Sequence, residues 1–451
     1  MHREMQIRLS EVVAALSHAL DVTHGQPEGH AARTCLIGMR VGEAIGLRST
    51  ERSALFYALL LKDAGCSTNA SRIASLYGND DAEVKRQAKS EDLARPAAAI
   101  RHVWRTAGAG ERPAARIRQM YRTLVDSPAA AHEMYSMRCE RGADIARMIG
   151  LGEATAEGIA HLDERWDGAG HPTGASGEEI PLIGRILGLA QTLEVFWQLG
   201  GPSAAADVAR RRRGTWFDPA LVDALGAIEH DAAFWSALPT ARPDAVEPAD
   251  RVLVAGDDRL DRIAEAFARV VDAKSPYTGR HSEGVAEIAV GLAGVLGLGD
   301  DDRRTLRRAG LLHDLGKLAV SNRILDKPGS LTEGEWSLVR RHPALSERIL
   351  LRVDAFGGVA RIAGNHHERL DGSGYGRGRR GSELDPLSRI LAVADVAEAL
   401  SAERPYRRAL VPDEVLAIMR AEAGTRLDAT AFEALEEHLP AHAAPAGAAA
   451  A

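Results

Sequence analysis

The sequence predicts an all-α fold built as a tandem duplication of one helical unit, and three observations predict it. Apolar residues recur at three-and-four spacing along most of the 451 residues, the signature of helices that bury one face. No apolar series of period two, which a half-buried strand would show, interrupts them. The third observation is internal similarity: two parts of the chain repeat the same motifs at the same separations, the mark of a structural unit used twice.

The helical signal is clearest in "EAIGLRSTERSALFYALLLKDAG" (43 to 65), "HSEGVAEIAVGLAGVLGL" (281 to 298) and "EVLAIMRAEAG" (414 to 424), with Gly at the expected helix ends. The Pro-rich stretch "LPTARPDAVEPAD" (238 to 250) predicts a linker, and "PAHAAPAGAAAA" at the C-terminus a loose tail. The expected division is a first domain over 1–237, a linker over 238–258, a second domain over 259–440 and a tail over 441–451.

Composition narrows the function. The chain is 45% hydrophobic and 26% charged, enough for full cores in two or three domains. A net charge of -7 argues against a partner that is a nucleic acid polymer, whose footprint is a basic stripe. The one dense basic run, "ARRRRG" (209 to 214), is expected to be a solvated helix end. Cys35, Cys66 and Cys139 are scattered without C-x-x-C spacing, so neither a disulfide framework nor a zinc-thiolate site is expected. No apolar run approaches the roughly 18 residues of a membrane span, and the first twenty residues place charges among apolar ones at helical spacing, unlike a secretory signal. A cytoplasmic protein without a membrane partner is the expectation.

The repeats align in detail. "EGHAARTCLIGMRVGEAIGL" (28 to 47) parallels "GRHSEGVAEIAVGLAGVLGL" (279 to 298), "LLKDAGC" (60 to 66) parallels "LLHDLGK" (311 to 317), and "DERWDGAGHPTG" (163 to 174) parallels "HERLDGSGYGRG" (367 to 378). His30 to Lys62 and His281 to His313 both span 32 positions, Asp167 to Gln191 and Asp371 to Asp395 both 24, and Arg138 to Asp163 and His342 to His367 both 25. The first copy carries 47 extra residues, because Asp63 to Arg138 spans 75 positions against 28 from Asp314 to His342.

The alignment acts as an internal control. Where the second copy has His281, His313, Asp314, His342, His366, His367 and Asp395, the first has His30, Lys62, Asp63, Arg138, Leu162, Asp163 and Gln191. Adjacent titratable groups on apolar-periodic segments need partners, since a buried unpaired polar group costs about 1 to 3 kcal/mol. Hydrogen bonds are one solution for "LLHDLGK", predicted to lie on a helix; metal is another. Five imidazoles and two carboxylates suit two adjacent divalent cations with Asp314 as bridge. Neighbours on a helix diverge by about 100°, so His366 and His367 are expected to flank two ions from a helix end rather than serve one ion. Lys and Arg at ligand positions imply that the first copy binds no metal.

The stretches "HSEGV", "LLHDLGKLAVSNRILDKPGSLT", "HHERLDGSGYG" and "SRILAVADVAEALSAERPYRRAL" resemble the HD-GYP domain, the subset of the HD phosphohydrolase superfamily that acts on cyclic di-GMP. The resemblance covers about 281 to 410, and the first half looks like a degenerate copy that retains "DGAGHPTG", "RILGLAQTLEVF" and "GTWFDPALVDAL". It implies an HD-type helical bundle in each half and a phosphodiesterase of cyclic di-GMP, yielding the linear dinucleotide or GMP. A weakly active regulatory scaffold, or an HD phosphohydrolase of another nucleotide, are the alternatives. Carried over, it makes the seven residues of the second copy the metal ligands, Asp314 and Lys317 catalytic, Lys317 lying beside the scissile phosphate. Arg404 and Arg407 become phosphate-side cations, and Tyr375 is placed to stack on a base.

Two departures matter. The naming motif reads Gly374-Tyr375-Gly376, with Gly in place of Pro, which predicts a freer loop. Tyr277 stands where relatives with three metals carry Glu, so two divalent ions are expected, Fe or Mn first, with Zn, Ni or Co as alternatives. The first copy is expected to fold and to bury a surface against the second copy or another chain, as a homodimer or with a regulatory partner.

Overall fold

The structure, a computed structural model, describes residues 7–23, 25–93, 95–240, 242–403 and 408–443. Its elements are helical except for Ile7–Arg8 paired antiparallel with Val254–Ala255. The chain divides into two compact units, one of residues 1–263 with 321–323, the other of residues 264–320 with 324–451.

Each unit repeats one set of packings, which is what a duplicated amphipathic pattern requires. In the first, His30–Ala44 packs on Ser49–Leu61 and on Leu182–Arg212, and Glu153–Ala160 packs on the last two of these. In the second, His281–Val295 packs on Asp300–Leu312 and on Pro386–Ser401, and Gly357–Asn365 again contacts the last two. The apolar stripes supply the cores: Leu55, Leu59, Ile145, Ile186 and Leu187 in one, and Val285, Leu292, Leu312, Ile362 and Leu391 in the other, each at most 1% exposed.

The segment 43 to 65 is not one continuous helix. Gly46, at φ 72°, ends the first helix, and Leu47 N–H donates to the Gly42 carbonyl at 3.0 Å. Gly297, at φ 68°, does the same in the second copy, with Leu298 N–H on the Ala293 carbonyl at 2.9 Å. A residue with a Cβ resists this left-handed stop.

The predicted helix around "LLHDLGK" also ends early. Asp300–Leu312 closes at Leu312, and Leu315–Ala319 continues as a 3-10 turn, so His313 and Asp314 occupy the junction. The cause is tertiary: a Cβ on Gly316 would stand 2.2 Å from the His342 carbonyl, and one on Gly65 would stand 1.9 Å from the Arg138 carbonyl. Glycine lets the turn press against the helix that carries the next key residue.

The stretch 238–258 forms short 3-10 turns and the strand Val254–Ala255. It is packed rather than free: Glu247 accepts from Ser10 Oγ at 2.8 Å and from Tyr57 OH at 3.4 Å. The 47 extra residues of the first copy supply Ala70–Tyr77, Asp81–Ala88, Pro96–Thr106 and the first turns of the long helix Pro113–Met148, with a small core of Tyr77, Val84, Val103 and Ala107. The three cysteines are free and buried. Among the described residues no helix is long and apolar enough to cross a membrane.

Candidate metal centre

Five elements of the second unit bring the predicted residues together. His281 opens the helix His281–Val295, and His313 and Asp314 sit where Asp300–Leu312 ends. His342 opens His342–Leu350, His366 and His367 follow Gly357–Asn365, and Asp395 lies on a buried face of Pro386–Ser401. Placing imidazoles at helix ends frees their directions from the helical screw.

The side chains converge on Asp314. Its Oδ2 lies 3.3 Å from His281 Nε2 and 3.4 Å from His313 Nε2, while its Oδ1 lies 3.1 Å from His342 Nε2 and 3.8 Å from His366 Nε2. Asp395 Oδ1 stands 3.5 Å from His281 Nε2, and its Oδ2 3.7 Å from His367 Nδ1. One carboxylate thus faces two sets of nitrogens with different oxygens. Two groups, His281 with His313 and Asp395, and His342 with His366 and His367, each offer donor atoms within 4.8 Å of one another.

His366 and His367 stand at a helix end, as expected; they share the second group, and His366 also groups with His313 and Asp314. The chain leaves the helix at Asn365, and the two rings lie 4.0 Å apart at 44°, both near His342. The 100° rule applies only while the helix lasts.

Hydrogen bonding fixes which nitrogens face inward. His313, His342 and His366 direct Nδ1 to the carbonyls of Gly310, Val339 and Ala363 at 2.7, 2.7 and 2.6 Å. A carbonyl only accepts, so each Nδ1 carries the proton and each Nε2 presents a lone pair. His342 Nε2 and His366 Nε2 then meet at 3.1 Å as two acceptors, and His313 Nε2 and Asp314 Oδ1 are buried without hydrogen-bond partners. Opposed lone pairs beside a carboxylate repel unless a cation lies among them, so this donor set fits divalent metal.

Protonation follows the same logic. Burial, reinforced by neighbouring imidazoles, holds His366 and His367 well below the ordinary histidine range, in the neutral form that ligates. Burial would raise the Asp314 carboxyl, but His313, Lys317 and His281 outweigh it and hold it well below its usual value.

The sequence reading missed Glu398. His281 Nδ1 bonds this carboxylate, three residues beyond Asp395. Glu194 does the same for His30 in the first copy, Oε2 to Nδ1 at 2.5 Å. The signal was present, a Glu kept at the same offset in both copies, but a lone Glu on a helix reads as solvent-facing.

Of the other predicted residues, Lys317 Nζ reaches Asp314 Oδ2 at 2.5 Å. Tyr375 lies against His367, ring centroids 4.4 Å apart, so its ring already rests on an imidazole of the centre. Its loop is anchored despite Gly376: the Glu368 carboxylate accepts from the backbone N–H of Arg377 and, at 3.0 Å, of Arg379. Tyr277 is 39% exposed in the turn before His281 and offers no carboxylate. Arg404 and Arg407 lie outside the described residues.

The equivalent place in the first copy is filled by protein cations. Lys62 is fully buried, bonds Asp63, and stands 3.1 Å from His30 Nε2. Arg138 bonds Asp163, and Lys89 Nζ lies 3.7 Å from Asp63 Oδ1. Burial and the Lys62 charge push His30 down to about 4, so its ring is neutral. Two ammonium groups and a guanidinium neutralise the remaining acids.

Both parts of the chain resemble known proteins. The HD domain family profile matches residues 117–221 and 265–431. The 3′3′-cGAMP-specific phosphodiesterase 3 of Vibrio cholerae is 44% identical over 435 residues, covering 96% of this chain and 94% of that protein. The cyclic di-GMP phosphodiesterase response regulator RpfG of Xanthomonas campestris is 37% identical over 186 residues, which are 40% of this chain and 48% of its own. The crystal structure of a cyclic GMP-AMP specific phosphodiesterase of V. cholerae, V-cGAP3, superposes with a TM-score of 0.65 at 39% identity, covering 97% of this chain and 98% of that one.

Proposed function

We propose a function from one premise: this chain belongs to the HD domain family and, within it, to the HD-GYP group. It is read as a metal-dependent phosphodiesterase of 3′3′-linked cyclic dinucleotides whose centre lies in the second copy, with 3′3′-cGAMP as the preferred substrate. The observation that carries the catalytic assignment is the convergence of inward lone pairs on Asp314, with the Asp395 carboxylate against His281 and His367. The substrate assignment is supported by the relative matched over nearly its whole length, named as specific for 3′3′-cGAMP, whereas RpfG, named for cyclic di-GMP, is matched over 48% of its length.

In this reading His281, His313, Asp395 and Asp314 would hold one cation, and His342, His366, His367 and Asp314 the other, with Fe or Mn the first candidates. Such a pair supplies a water acidified towards neutral pH and positive charge on the phosphoryl oxygens. The protein does the rest. The carbonyl-bound Nδ1–H groups keep His313, His342 and His366 in the ligating tautomer, the Glu398 carboxylate orients His281, and burial keeps bulk water from the reacting phosphorus. Lys317 sets its ammonium beside Asp314, where negative charge builds on the phosphoryl group during in-line attack. Water adds across one P–O bond and the sugar oxygen leaves with a proton, opening the ring to a linear dinucleotide. A second cleavage gives mononucleotides.

Glu398 orients His281. Glu398→Gln, which keeps the shape but weakens the acceptor, is expected to lower metal affinity by about 10- to 100-fold with an unchanged circular dichroism spectrum. Unaltered affinity in a metal-competition titration would reduce Glu398 to a packing residue.

Initial rates on metal-loaded protein test the function. A kcat/KM for 3′3′-cGAMP about tenfold or more above that for cyclic di-GMP is expected, since one exchanged purine alters the hydrogen bonds of one base. The reverse order would give the substrate expected from sequence, cyclic di-GMP, and no hydrolysis of either would overturn the reading.

A further inference from the structure

The backbone frame beside Tyr375 occurs twice, with different side chains on it. In the second copy a cavity of about 260 Å³ is lined by Arg369, Tyr375, Glu422 and Arg426 among others. Its two strips of backbone are joined where Leu370 N–H donates to the Arg426 carbonyl at 3.0 Å, and Gly424 N–H to that of Leu427 at 2.8 Å. The first copy repeats both bonds, Trp166 N–H to the Trp216 carbonyl at 3.2 Å and Gly214 N–H to that of Phe217 at 2.9 Å. The bridges Arg213 to Phe217 and Ala423 to Leu427 give the same register. Arg165 therefore stands where the second copy has Arg369, Arg212 where it has Glu422, and Trp216 where it has Arg426.

The exchange replaces Glu422 by a cation and Arg426 by an aromatic ring, so the frame loses its acid and keeps two guanidiniums. Glu422 accepts from Arg426 Nη1 at 3.3 Å. The Arg212 side chain, in its place, makes no hydrogen bond or ion pair among the described residues: its guanidinium lies 3.9 Å from the Trp216 ring centroid and 5.4 Å from that of Phe196, with Nη1 buried and unpartnered. Arg165 lies 4.8 Å from the same ring centroid, its Nε also buried and unpartnered. Its Nη2 bonds Asp167 at 2.7 Å, and its Nη1 stands 3.7 Å from Asp92, a carboxylate that Arg95 Nε also holds at 3.1 Å. Arg165 and Arg95 thus share Asp92, and Arg165 also takes Asp167. Burial, only partly offset by Asp92, pushes Arg212 down to about 10, and the charges of Arg165, Arg211 and Arg95 add to the effect.

Each buried unpaired donor costs about 1 to 3 kcal/mol, and guanidinium forks are shaped for phosphate oxygens. We propose that the first copy carries an anion site, formed by Arg165 and Arg212 stacked on Trp216, that binds a phosphate group, free or borne by a nucleotide. The first copy, whose ligand positions are filled by Lys62 and Arg138, thus offers phosphate recognition on the frame that carries Arg165, Arg212 and Trp216. The catalytic reading is independent of this one, since neither Arg165 nor Arg212 belongs to the second copy.

Isothermal titration of the metal-loaded full chain with inorganic phosphate, with GMP and with 3′3′-cGAMP tests the proposal. Wild type is expected to bind at least one probe at a site that Arg212→Glu weakens about tenfold or more and Arg212→Lys weakens less, because Lys keeps the charge but not the fork. Binding of inorganic phosphate as tight as GMP identifies a simple phosphate site; tighter binding of GMP or the cyclic dinucleotide identifies a nucleotide site. Turnover of Arg212→Glu stays within about twofold of wild type, as expected of a residue outside the second copy's ligand set. If Arg212→Glu fails to fold, Arg165→Gln decides, with the same weakening expected. No Arg-dependent binding at probe concentrations up to about 10 mM, where even a weak site fills, would overturn the proposal.

Discussion

Asp314→Ala is expected to lower turnover of the cyclic dinucleotide by about a thousandfold or more, which corresponds to roughly 4 kcal/mol of lost transition-state stabilisation. The two oxygens of Asp314 face different sets of imidazoles, Oδ2 towards His281 and His313, Oδ1 towards His342 and His366, four rings in all. Its loss therefore weakens both halves of the centre, unlike replacement of any single histidine. The helices should survive, because Asp314 lies at the junction after Leu312 rather than in the apolar packing. Steady-state rates and circular dichroism check both parts. Activity near wild type would remove the bridging role.

Lys317→Met is expected to lower kcat by about a hundred- to a thousandfold while KM and metal content change little. The ammonium sits 2.5 Å from Asp314 Oδ2 and contributes no lone pair in its charged form, so it cannot be counted as a ligand. It remains 22% exposed on its side chain, where a phosphate can reach it. The thioether fills similar volume without charge, so lost turnover with retained ions isolates the electrostatic contribution. Equal losses of metal and of rate would instead make Lys317 a support for Asp314.

The fold was legible because the helical period and the duplicated spacings are both local records of packing: the 32 positions from His281 to His313 recur from His30 to Lys62, and each pair spans two helices packed the same way. What escaped depends on contacts that no period encodes. Gly316 ends a helix because the His342 carbonyl passes 2.2 Å from where its Cβ would be, which displaced His313 and Asp314 from the predicted helix. His366 and His367 share one group because the helix stops at Asn365. The run "ARRRRG" is only partly a solvated end. Arg210 and Arg213 pair with Glu229 and Asp223, whereas Arg212 lies on Trp216. Glu398 was invisible alone and legible only beside Glu194.

The central claim is that the second copy holds two cations and the first holds none. Elemental analysis of anaerobically purified full-length protein, paired with hydrolysis rates before and after chelation, tests it most directly. The account predicts two ions per chain, lost turnover on chelation, recovery on adding Fe or Mn, and loss of the ions in Asp314→Ala. A third tightly bound ion, ions retained by Asp314→Ala, or hydrolysis that survives complete removal of metal would contradict it.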